Sequence, residues 1–180
     1  SMSCYAPSWF KQDIKRFPRA MNAQGKPLEI ASAFSENVLK SDQRAFGQLM
    51  QHIKDVDKQQ TVVMVQVENE IGMLEDARDH SPLVEKTYQQ TVPVELVKSL
   101  NKKQGTRLQT GKMWAETFGT DRYADEKFMA YYYALYVEQM AQVAKKVYPL
   151  PLYVNAAMNS RGRRPGEYPS AGPLAHLKDI

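Results

Sequence analysis

The run Val62-Val63-Met64-Val65-Gln66-Val67 ends abruptly in Glu68-Asn69-Glu70-Ile71-Gly72, and this junction constrains the fold more than any other part of the chain. A β-branched apolar stretch this short, with Lys58-Gln59-Gln60 on one side and Gly72 on the other, reads as a parallel strand covered on both faces. Carboxylates are expensive to bury without partners or a task. In parallel sheets ligands gather at the C-terminal ends of the strands, where the following loops form the open face. Glu68, Asn69 and Glu70 therefore stand where an α/β scaffold places a site, although the polar start of an ordinary loop has the same composition.

The flanking pattern completes the α/β reading. From Glu36 to Val56 the apolar positions Leu39, Phe46, Leu49, Met50, Ile53 and Val56 follow helical spacing, with Ser35 or Ser41 as the cap. His52 lies on this helix as a surface or structural residue. Asp57-Lys58-Gln59-Gln60 is a short polar link into the strand. A second helix is expected over Asp125–Tyr148, with Met129, Tyr133, Tyr136, Met140, Val143 and Val147 forming its stripe. Pro149 and Pro151 stop it, and Leu152-Tyr153-Val154-Asn155 reads as the next buried strand. Strand, crossover and strand in this order give parallel pairing with a right-handed connection. Two such strands alone leave open sheet edges.

Between these units, Met73 to Tyr123 forms a long excursion on the same face as the acids, with a short helix begun by Pro93. Ser1 to Ala33 carries the turn signals Ala6-Pro7, Phe17-Pro18 and Gln24-Gly25-Lys26-Pro27 and no sustained period, so it reads as a long irregular segment. The chain shows no internal repeat, low-complexity tract or interdomain linker. It is expected to be one incomplete domain over residues 1–180.

Composition narrows the classes. With 43% hydrophobic and 24% charged residues the chain belongs with ordinary globular domains. No stretch approaches the roughly 18 apolar residues of a membrane span. The net charge of +4 comes from dispersed lysines and arginines. The one cluster, Arg161, Arg163 and Arg164, is a short solvated loop, so nucleic acid is not an expected partner. Cys4 is the single cysteine, which excludes an internal disulfide, and small-residue packing is its expected role. The acids and His80 of Leu74–His80 fit no metal-ligand spacing, and a solvated charged loop is expected there. No metal or cofactor is called for.

The chemistry expected of Glu70 is that of a general acid. In a partly desolvated pocket, near a second carboxylate, its pKa would rise toward neutrality. Asn69 offers a donor and an acceptor to a substrate hydroxyl. Asn155, at the end of the next strand, should face the same pocket and is a candidate substrate contact, with Tyr153 behind it. Trp114, Tyr5 and Trp9 are suited either to stacking on a sugar face or to packing.

Gln66-Val67-Glu68-Asn69-Glu70 followed by Ile71-Gly72 resembles the acid/base signature of glycoside hydrolase family 35, the β-galactosidases. Ser3–Trp9, Pro27–Ile30, Phe34–Asn37 and Gly166–Leu174 are similar to a bacterial branch of that family related to xyloglucan-acting enzymes. The resemblance implies a (β/α)₈ barrel and assigns proton donation to Glu70 and a sugar contact to Asn69. Such barrels typically take about 250 residues, against 180 here. The implied piece runs from the loop after the third strand, through strands four and five, to short of the sixth. The retaining mechanism of the family needs a nucleophilic carboxylate about 5 to 5.5 Å from the acid, carried there on the seventh strand, and no residue of this sequence corresponds to it.

The implied function is hydrolysis of terminal β-galactosyl residues from oligo- or polysaccharides, with the remainder of the barrel as a required partner and this segment alone inactive. A role in polysaccharide degradation implies a periplasmic or secreted enzyme, an expectation with no residue behind it. The alternative is a truncated, non-catalytic carbohydrate-binding or interaction protein that keeps the acids and aromatics without the nucleophile.

Overall fold

The computed structural model describes residues 6–155 together with Arg164 and Gly166. Tyr5, Cys4, Arg161, Arg163 and the stretch from residue 167 to 174, all singled out above, lie outside the described residues.

The N-terminal segment is more ordered than its turn signals suggest. A short helix α1, Ser8–Gln12, is followed by strands β1, Arg19–Met21, and β2, Pro27–Ala31, paired antiparallel. The turn between them places Gly25 at φ 74°, a left-handed conformation that glycine adopts without strain. The Asn22 side chain closes it by accepting from the Gln24 and Lys26 N–H groups at 3.1 and 2.9 Å.

Helix α2, Glu36–Val56, has the expected bounds, and Ser35 is its cap, its hydroxyl accepting from the Val38 N–H at 3.4 Å. Helix α6, Arg122–Val147, begins three residues earlier than the apolar period indicated, because the Asp121 carboxylate caps the Ala124 N–H at 2.8 Å. The two helices pack side by side, with Gly47 admitting Val143 closely: a Cβ on Gly47 would lie 3.3 Å from Val143 Cγ1. Strand β3, Val65–Asn69, pairs in parallel with strand β4, Leu152–Asn155.

Two apolar clusters hold this arrangement. One gathers Phe10, Phe17, Val38, Val67, Tyr136 and Met140 between α1, α2, β3 and α6. The other surrounds Trp114 and Phe128, where the hairpin meets α6 and three helices of the long excursion: α3, Pro82–Tyr88; α4, Val94–Gln104; and α5, Trp114–Phe118. Pro93 caps α4 from outside its first turn, and Gly105 ends it at φ 64°.

The strand differs from expectation in extent and cover. It starts at Val65, and Val63 and Met64 are 70% and 53% exposed, so the run is not covered on both faces. Val67 is the buried member, 2% exposed. A strand paired on one side only has helices to cover one part of it, and Val63 and Met64 are left exposed among the described residues. Among the described residues no helix is long and apolar enough to cross a membrane.

Candidate functional site at the tips of two parallel strands

The pairing of β3 with β4 is interrupted where the acids begin. Gln66 pairs with Tyr153, but the next partners are Asn69 and Asn155, so β3 spends one more residue than β4 over the same interval. This is a β-bulge, which bends the strand and re-aims its side chains. Glu68 and Glu70 both take left-handed backbone conformations, at φ 57° and 49°. Non-glycine residues held there cost on the order of 1–3 kcal/mol each, and such outliers concentrate at functional sites.

The bulge sends the two carboxylates in different directions. Glu68 is half-buried toward α2 and α6, while Asn69 and Glu70 are exposed at the strand tip. The desolvated acid is therefore Glu68, and the partly desolvated pocket expected around Glu70 is absent among the described residues. Burial raises the Glu68 carboxyl above its ordinary value, and the nearby charge of Asp42 adds to the shift. Burial also raises Asp42, opposed by the Tyr136 hydroxyl, which donates to it. Tyr136 is itself pushed upward by burial and by the negative charge of Asp42. Asp42 and Tyr136 carry a sequence signal that residue type alone obscures. Asp42 falls between Leu39 and Phe46 at helical spacing, a polar residue on an apolar stripe.

At the tip, the strands are tied by main chain and side chain together. The Glu70 N–H donates to the Asn155 carbonyl at 2.7 Å, and Asn155 Nδ2 donates to Asn69 Oδ1 at 2.8 Å. Gln66, which sequence reasoning passed over, donates through Nε2 to the Glu68 carbonyl at 3.0 Å and to Asn69 Oδ1 at 3.1 Å. Tyr153, 46% exposed, stands on β4 opposite Gln66. The structure thus brings Asn69, Glu70, Asn155 and Tyr153 to one strand end.

Of the two roles open to Trp114, the structure shows packing. It is 1% exposed and enclosed by Phe118, Phe128, Tyr131 and Tyr132, with ring centroids 5.0 to 6.1 Å away. No face is left for a sugar. Its large apolar surface anchors the long excursion to α6 instead.

The loop after the site is tied down by bonds the charge pattern did not reveal. Asp79, 1% exposed, accepts from the Met21 and Ser81 N–H groups at 3.0 and 2.8 Å and from the Ser32 hydroxyl at 2.6 Å. Asp76 accepts from the Ala23 N–H at 2.8 Å. Arg78 donates to Asp125 at 2.7 Å and to Glu85 at 2.8 Å, with its guanidinium 4.0 Å from the Tyr88 ring centroid. His80 Nδ1 lies 3.2 Å from Glu85. The loop expected to be solvated is instead a network of paired charges stitching the hairpin to α3 and α6. No group of three or more potential metal ligands converges among the described residues.

No protein-family model matches the chain, and no curated protein does.

Proposed function

We propose that this chain forms part of the (β/α)₈ barrel of a retaining β-galactosidase, with Glu70 as acid/base and Asn69 as a contact to the sugar ring. The single observation that carries the reading is the strand tip itself. Two parallel strands end together, a bulge and two left-handed residues hold the Glu-Asn-Glu run out of regular geometry, and Glu70 stands exposed beside two asparagines. Glu70 would protonate the glycosidic oxygen as galactose leaves, then take a proton from the water that releases the sugar. The nucleophile would come from outside these residues, as would the remaining walls that desolvate Glu70. The substrate would be a terminal β-galactoside of an oligo- or polysaccharide, and the enzyme would act in the periplasm or outside the cell.

The test is hydrolysis of an unactivated β-galactoside by the polypeptide that carries this sequence, with and without Glu70→Gln. Loss of turnover by about 10² to 10⁴, the contribution of one acid/base group, is the expected result. Near-normal turnover in the variant overturns the assignment.

One observation favours a second reading, a non-catalytic carbohydrate-binding protein. Glu70 is exposed at the strand tip, and no wall among the described residues desolvates it as a general acid requires. Binding of methyl β-galactoside without hydrolysis would select that reading.

A further inference from the structure

We propose that Gln66 and Asn155 are positioning residues that lock the Asn69 carboxamide with its oxygen turned inward, so that a ligand at the strand tip meets a hydrogen-bond donor. The proposal rests on the reading of this tip as a sugar site.

A carboxamide carries one oxygen with two lone pairs and one NH₂ with two protons. Both lone pairs of Asn69 Oδ1 are engaged, by Asn155 Nδ2 at 2.8 Å and by Gln66 Nε2 at 3.1 Å. Reversing the Asn69 amide would set its NH₂ against the Gln66 NH₂, which the Glu68 carbonyl holds in place, so Gln66 selects one of the two orientations and Asn155 Nδ2 adds to it. Gln66 is held in turn, because its Nε2 also donates to the Glu68 carbonyl at 3.0 Å, across the bulge. The backbone of Asn155 is held by the strand pairing, its main-chain carbonyl accepting the Glu70 N–H at 2.7 Å. The acid and the amide are thereby fixed to the same frame. Asn69 is exposed and its NH₂ makes no hydrogen bond among the described residues, so the matching ligand atom is an oxygen that can offer a lone pair, such as a sugar hydroxyl or ring ether.

This arrangement changes the role expected for Asn155. One proton of its side-chain NH₂ is spent on Asn69, so Asn155 also acts on a ligand through Asn69.

Side-chain amide exchange, read by NMR on the polypeptide that carries this sequence, tests the proposal. In the wild type, the bonded NH₂ protons of Gln66 and Asn155 should exchange on the order of two- to tenfold more slowly than those of Asn69, the equivalent of one neutral hydrogen bond. Asn155→Asp replaces the donor by an acceptor. With Gln66→Ala in the same chain, the Asn69 amide should then reverse, its protons becoming protected by a similar factor. Titration with methyl β-galactoside should show weaker binding in that variant, and Gln66→Ala should weaken binding in the same direction. If Asn155→Asp does not fold, Gln66→Ala carries the test, with loss of order at the Asn69 side chain as its expected result. Protected Asn69 protons in the wild type, or Asn69 signals unchanged in the folded variants, overturn the proposal. Failure of the wild type to bind methyl β-galactoside overturns the sugar reading instead, while the exchange pattern still decides the orientation.

Discussion

Glu68 and Glu70 are two positions apart and live in opposite environments, which makes them separable by pH. Burial and the Asp42 charge raise the Glu68 carboxyl above the ordinary 4.5. The folded state therefore holds that proton more tightly than the unfolded chain does. By linkage, the stability it contributes is full below the unfolded value and is lost as pH rises through the raised folded value. Glu68→Gln removes this slope. Urea unfolding between about pH 4 and pH 8 should show the variant gaining on the wild type as pH rises; parallel curves would count against the buried placement of Glu68. Gly166 offers a second test at this scale. It sits at φ 84°, and a Cβ there would lie 2.7 Å from the Asp76 carbonyl carbon. Gly166→Ala is expected to cost about 1–3 kcal/mol in chemical denaturation, since backbone must shift to admit it. The acidic strand end was legible in the sequence. Which of its carboxylates would be buried was not, because the bulge exchanges the faces and leaves no mark on residue type.

At the scale of elements, the long helices were legible because each presents an apolar stripe with a clear stop. The cap residues Ser35 and Asp121 set their starts. The hairpin, α3 and α5 are shorter than the window over which a period can be recognised, and they were not anticipated. The hairpin and the start of α3 are placed instead by the buried polar links around Asp79, and α5 by the packing of Trp114. Asp79→Ala would strand the N–H groups of Met21 and Ser81 and the hydroxyl of Ser32. A loss of about 3 kcal/mol or more is expected, read as a lowered urea midpoint. Increased proteolysis should appear at the β1–β2 hairpin, whose ties to the loop run through this carboxylate, Asp76 and the His80 N–H, which donates to the Met21 carbonyl at 2.8 Å. A midpoint unchanged within error would mean these bonds do not hold the hairpin.

At the scale of the whole molecule, the described part of the β3–β4 sheet has two strands, so each strand keeps an unpaired edge. Val63, Met64, Tyr153 and Val154 lie beside these edges and are each about half exposed or more. Open parallel edges with apolar neighbours recruit further strands. Sedimentation of the 180-residue chain should therefore show concentration-dependent association, reduced by Val63→Lys together with Val154→Lys. A monomer at all concentrations would argue that the edges are blunted.

The sequence by itself determined where the long helices run, that an apolar strand ends in Glu68-Asn69-Glu70, and that a second strand ends in Asn155. Those features follow from periodicity, capping and proline stops, all local in the chain. Only the tertiary structure decided that Asn155 Nδ2 meets Asn69 Oδ1 across 86 positions, that Asp42 and Tyr136 stand near Glu68, and that Trp114 is sealed in a core. Each depends on register and packing between distant elements, where a one-residue shift reverses the face a side chain occupies.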